Sequence, residues 1–114
     1  MRARALAYTF RHSLGTDPTM YFTHAICRLP ADTVASGLTT AAAGAPDAQR
    51  TRAQHQAYVD ILLGLGLCVT TLPAQPAFPD AHFVEDTAVL MPELAVLTNP
   101  GAPSRRGEVQ SIAP

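Results

Sequence analysis

Phe78-Pro79-Asp80-Ala81-His82-Phe83-Val84-Glu85-Asp86, followed by Asn99-Pro100-Gly101-Ala102-Pro103-Ser104-Arg105-Arg106-Gly107-Glu108, is the stretch around which the chain is organised. Its first part sets Asp80, Glu85 and Asp86 around the ring of Phe83. Its second part sets an arginine pair just after a Pro-Gly turn, where a helix would begin. Carboxylates beside a phenyl face suit a planar organic cation, through charge-assisted hydrogen bonds and cation–π contact. A guanidinium docks a carboxylate fork to fork, so an arginine here could take a carboxylate at the far end of the same ligand.

Working outward toward the N-terminus, Leu67 to Leu72 reads as a strand closed by Pro73. Before it, Asp47 to Leu63 is the clearest helix. Asp47 can cap it, Gly64 and Gly66 stop it, and Ala53, Ala57, Tyr58, Ile61, Leu62 and Leu65 recur at helical spacing. Ala31 to Pro46 reads as a loop rich in small residues, and Tyr21 to Arg28 as a buried strand. The order strand, helix, strand gives an α/β fold class. Toward the C-terminus, Phe83 to Met91 and Leu94 to Thr98 read as the two strands of a hairpin. Ser104 to Ile112 reads as the first turns of a helix, capped by Ser104 with Glu108 near its positive end, and no stop signal follows.

Composition narrows the partners. A net charge of −1 and a pI near 6.4 carry no footprint for nucleic acid or for an anionic membrane surface. No window approaches a membrane span, and Cys27 and Cys68 are too few for a disulfide framework or a zinc site. Both cysteines read as buried and inert, and reduced thiols fit a cytoplasmic protein. His24 reads as a packing residue and His55 as a solvated or hydrogen-bonded structural one. His82 is assigned nothing. Residues 1–19 are basic and nearly free of acids, and are expected to lie outside the fold as a loose extension or a start-site overcall.

The ordered motifs F-P-D-x-x-F-V-E-D and N-P-G-A-P-S-R-R-G-E-V resemble the dimethylargininases, or dimethylarginine dimethylaminohydrolases, of the guanidino-group modifying superfamily. Ile26-Cys27-Arg28, Ser36-Gly37-Leu38-Thr39-Thr40 and Gln54-His55-Gln56-Ala57-Tyr58 join the resemblance, which runs from about Met20 to the end. It implies a partial five-bladed α/β-propeller (pentein), about the first blade and a half, with residues 20–114 as the truncated N-terminal part of a catalytic domain. It further implies hydrolysis of an N-methylated arginine to citrulline and an alkylamine, without a cofactor or a metal. The implied partner is a small guanidino substrate, and the full-length enzyme could form a homodimer. Relatives among arginine deiminases and amidinotransferases, and a non-catalytic binding or assembly module, stand as alternatives.

Carried over position by position, the substrate-binding residues fall on Leu38, Asp80, Phe83, Glu85, Asp86 and Arg105. Asp86 would grip the guanidinium, with Phe83 beside its plane. Arg105 would pair with the substrate carboxylate, while Asp80 and the Leu38 backbone orient the head group. Arg106 reads as a surface or structural arginine. Alternation along a regular strand would send Glu85 and Asp86 to opposite faces, so the resemblance requires the strand to end or bulge there. The family's nucleophilic Cys and acid–base His have no counterpart in these residues and are expected beyond Pro114. The chain is therefore expected to bind without catalysing.

Overall fold

The computed structural model describes residues 6–8, 22–40, 42–91 and 94–113. Strand β2 (His24–Arg28) is the centre of a three-stranded sheet. It pairs antiparallel with β1 (Leu6–Tyr8) and parallel with β3 (Cys68–Leu72), His24 facing Cys68 and Arg28 facing Leu72. Parallel neighbours need a crossover, and helix α1 (Ala48–Gly64) supplies it. The expected strand–helix–strand order is the one observed, and the fold class is α/β. The pairing of Leu6–Tyr8 brings part of the N-terminal segment into the sheet, so the expected loose extension does not describe these three residues. The remainder of 1–19 lies outside the described residues.

The ends of α1 follow from its sequence. Asp47 Oδ1 accepts from the Arg50 N–H at 2.7 Å, occupying one of the donors a helix start leaves open. At the other end Gly66 takes φ of +83°, a left-handed conformation costly for other residues, and the Gly66 N–H reaches the Leu63 carbonyl at 2.9 Å. The buried face of α1 differs from the expected one. His55 and Val59, one turn apart, are buried, whereas Ala53, Ala57, Ile61 and Leu65 are exposed. Helical spacing marks a stripe but not which stripe meets the sheet, and here it is the side bearing His55.

Two strand readings shorten. In 21–28 the paired ladder is only His24–Arg28; Tyr21 lies outside the described residues and Phe22 is exposed. Cys27 is buried as expected, but Cys68 is exposed, because the described residues lay nothing over the face of β3 that bears Cys68 and Thr70. The loop at 31–46 contains a 3-10 helix, Asp32–Ser36, that plants Val34 in the core beside Ala25, Cys27 and Val84.

The largest correction falls at 83–91. The segment from Phe78 to Thr87 is a series of tight turns closed by i to i−3 hydrogen bonds: Ala81 to Phe78, Phe83 to Asp80, Asp86 to Phe83 and Thr87 to Val84, all between 3.0 and 3.2 Å. Val84–Asp86 is a 3-10 helix, and the Thr87 hydroxyl donates to the Val84 carbonyl at 2.7 Å. Only then does β4 (Ala88–Leu90) begin, pairing antiparallel with β5 (Ala95–Leu97) as the expected hairpin. Residues 92–93 of its turn lie outside the described residues.

The C-terminal element is a 3-10 helix, Pro103–Ser111, with Pro103 in its first turn and Ala102 rather than Ser104 at the cap. Proline fits there because its missing N–H is not needed in a first turn. The helix closes at Ile112, whose N–H reaches Val109 O at 3.1 Å. Gly107 lies so close to the ring of Phe78 that a Cβ would collide with it. The two sheets are small, with no closed propeller among the described residues. No described helix is long and apolar enough to cross a membrane.

Candidate functional site

The turns from 78 to 87 exist to present carbonyls and carboxylates, and Arg105 binds them together. Its Nη1 donates to Asp86 Oδ2 at 2.6 Å. Its Nη2 donates to the main-chain oxygens of Asp80 and Phe83, at 3.2 and 3.4 Å, and to Glu108 Oε2 at 2.8 Å. Its Nε spans both oxygens of Glu108, at 3.0 and 3.2 Å. The guanidinium carbon stands 6.0 Å from the centre of the Phe83 ring, the outer limit of a cation–π contact. These bonds hold the Arg105 pKa above its ordinary value; the hydrogen bond to Glu108 is the largest cause, burial opposes it and Asp86 adds to it.

Asp80 faces the other way. Its carboxylate is buried and accepts from the Leu38 N–H at 2.9 Å. Gly37 lies directly against Asp80 Oδ1, leaving no room for a Cβ, so Gly-Leu is what lets the chain approach this acid. Leu38 itself is exposed. Glu85 is half-buried and Asp86 exposed, both on the same 3-10 turn. The alternation of a regular strand therefore places no constraint on them.

Of the six sequence candidates, Leu38, Asp80, Phe83, Asp86 and Arg105 are linked by direct contacts in one cluster, with Glu85 on the same turn. Arg106 lies apart, exposed, donating from Nε to the Pro100 carbonyl at 3.2 Å. Sequence reasoning missed Glu108, placed at the positive end of a helix but in fact almost fully buried as the main partner of Arg105. The R-x-x-E spacing of Arg105 and Glu108 was the available signal, since residues three apart share a helix face. Arg28 was also missed. It is buried, donates to Pro73 O at 2.9 Å and to Ser111 Oγ at 2.7 Å, and shares the field of Glu108; burial lowers its pKa and Glu108 opposes that. Ser111 in turn donates to Glu108 O at 2.7 Å, so sheet and C-terminal helix are tied at this acid.

Two histidines sit behind the cluster. His82 is 4% exposed and its ring lies against Phe83, centres 4.0 Å apart and planes tilted by 39°. Neither of its ring nitrogens makes a well-formed hydrogen bond among the described residues. Burial lowers its pKa; Asp80 and the Pro79 main chain favour the charged ring, His55 and Arg105 oppose it. Burial lowers the pKa of His55 too, and the nearby Arg28 main chain opposes that. Among the described residues no cluster of three or more His, Cys, Asp or Glu could hold a metal ion.

Fold and cluster together describe an α/β unit whose acids and arginine converge on one turn, and the fold is similar to that of solved hydrolases. The described chain superposes with a TM-score of 0.79 and 41% identity on a dimethylarginine dimethylaminohydrolase carrying an S-methyl-L-thiocitrulline adduct, over 81% of this chain and 36% of that one. It superposes with a TM-score of 0.78 and 42% identity on the Pseudomonas aeruginosa enzyme complexed with citrulline, over 80% of this chain and 36% of that one. In sequence it is 42% identical over 91 residues to the N(G),N(G)-dimethylarginine dimethylaminohydrolase of Pseudomonas aeruginosa, covering 80% of this chain and 36% of that protein. The Streptomyces coelicolor enzyme of the same name matches at 37% over 97 residues, 77% of this chain and 34% of that protein. No protein-family model matches the chain. The chain is thus a homologue of the dimethylarginine dimethylaminohydrolases, and it spans about a third of the length of these relatives.

Proposed function

We propose that this chain is the ligand-gripping part of an enzyme that hydrolyses N-methylated arginine to citrulline and an alkylamine. The observation that carries the reading is the convergence of Leu38, Asp80, Phe83, Asp86 and Arg105, drawn from distant points of the sequence, into one hydrogen-bonded cluster. The cluster pairs an exposed carboxylate with a fixed guanidinium, the complements of the two charged ends of an arginine-like ligand. Asp86 and Glu85 take the guanidinium end, beside Phe83. Arg105 takes the carboxylate end, and Asp80 holds the Leu38 backbone in place. The relatives solved with citrulline and with a thiocitrulline adduct support a ligand of this class. In the same reading the strand–helix–strand unit and the hairpin are about the first blade and a half of a five-bladed α/β-propeller.

These residues bind but do not attack. A thiolate nucleophile needs a lowered pKa, and burial of Cys27 pushes its thiol the other way. Incubating the 114-residue chain with dimethylarginine should yield no citrulline, while two-dimensional NMR should show the Leu38 amide shifting on titration. Citrulline formation that is lost in Cys68→Ser would make Cys68 the nucleophile and overturn the division of labour. An unmoved Leu38 amide at saturating ligand would sink the assignment of the site.

A further inference from the structure

The acid assigned to grip a ligand's guanidinium is already gripping one: Arg105 Nη1 on Asp86 Oδ2 at 2.6 Å. We propose that this internal ion pair is a selectivity latch, closing the site to ligands with one charged end and opening for ligands with both. The proposal rests on the functional reading above and adds what that reading does not contain, namely that the two halves of the site neutralise each other.

The latch has a fixed side and a moving side. The Arg105 side chain is 13% exposed and is held from behind by Glu108 at Nε and Nη2 and by the carbonyls of Asp80 and Phe83. Only Nη1 is left for a partner outside that frame. The Asp86 side chain is 51% exposed, and Arg105 is its partner. A short acid at the solvent surface changes rotamer cheaply; a buried fork with a buried counter-ion does not. Opening therefore swings Asp86 away while Arg105 stays.

Charge arithmetic then sets the selectivity. A lone guanidinium that takes Asp86 leaves Arg105 Nη1 without its anion, and a lone carboxylate that takes Nη1 leaves Asp86 without its cation. Each must first break a bond it does not replace. A ligand with both ends replaces both halves at once. Because Asp86 is half exposed, the pair is of the weak, solvent-screened kind, which bounds the penalty on a one-ended ligand at about two- to five-fold.

Two variants test this by NMR or calorimetric titration with three ligands: methylguanidine, pentanoate and dimethylarginine. Freeing Asp86 with Arg105→Gln should raise methylguanidine affinity about two- to five-fold and weaken dimethylarginine about ten-fold or more. Freeing Arg105 with Asp86→Asn should raise pentanoate affinity by a similar factor of about two- to five-fold and weaken methylguanidine binding. Arg105→Gln strands the buried Glu108; if circular dichroism shows it unfolded, the Asp86→Asn arm decides alone. Unchanged or weaker pentanoate binding by folded Asp86→Asn overturns the latch. If the native chain binds no dimethylarginine yet the one-ended gain appears, the latch stands and the functional reading falls. Binding of dimethylarginine without the gain gives the opposite result.

Discussion

Glu108 is the single carboxylate on which most of the buried charge depends. It meets Arg105 through both oxygens and shares its field with Arg28, all three side chains lying at the junction of β2 and the C-terminal helix. Removing one partner from such a network leaves uncompensated buried charge, which costs about 3–5 kcal/mol. Glu108→Ala should therefore lower the urea midpoint sharply, whereas Arg106→Ala, an exposed side chain, should change stability by about 0.5 kcal/mol or less. Equal shifts in the two unfolding curves would show that the network is solvated. His82 gives the chain a pH dependence with a definite sign. Burial holds its folded pKa below the ordinary 6.5, so the unfolded chain binds the proton more readily. The neutral-state stability is complete above about pH 6.5 and is lost as the pH falls through that value toward the folded pKa. His82→Phe should flatten unfolding midpoints between pH 7 and pH 5; an unchanged slope would mean that His82 does not titrate with unfolding.

At the scale of elements, α1 and the C-terminal helix depend on single residues at their ends and contacts. Asp47→Ala removes the side-chain acceptor for the Arg50 N–H and should cost about 0.5–2 kcal/mol. Gly107→Ala drives a methyl into the Phe78 ring, an overpacking worth about 1–3 kcal/mol, and Phe78→Leu in the same chain should recover part of it. Thermal melts of the single and double variants measure this coupling, and additivity of the two changes would rule out the contact. The crossover unit was legible in the sequence because apolar runs bracket a helix with an aspartate cap and a glycine stop. The hairpin was legible for a similar reason, two short apolar runs on either side of Pro92-Glu93. The turn series at 78–87 was not. Phe83, Val84 and Thr87 have strand propensity, and what overrides it is a ladder of i to i−3 bonds together with the burial of Val84, neither of which periodicity registers. The cluster residues came from resemblance, not spacing. Glu108 escaped because a carboxylate set near a helix start is expected to answer the dipole, whereas the helix begins at Pro103, Glu108 lies beyond its first turn, and it pairs with a buried arginine.

Across the whole molecule the apolar surface is distributed unevenly. Ile61 and Leu63 on α1, Leu65 just past its end, and Val89, Leu94, Val96 and Leu97 on the hairpin are all exposed. Two short sheets also leave open edges. Exposed apolar area of this kind drives association, so the 114-residue chain alone should sediment with a mass that rises with concentration and should unfold broadly in urea. A sharp, concentration-independent transition would show instead an independently stable module.

The register of the parallel pair governs time as well as shape. His24 meets Cys68 across a separation of 68 − 24 = 44 residues, while Ala88 meets Leu97 across 97 − 88 = 9. Forming the hairpin takes about 1–10 μs, whereas the parallel pair must first order the intervening helix and loop. Asp80 reaches Leu38 across a comparable span, and Arg105 reaches back to both Asp86 and the carbonyl of Asp80. The groups proposed to face a ligand thus belong to the late, long-range part of refolding. A full chain refolding from denaturant forms its hairpin before it can hold a ligand.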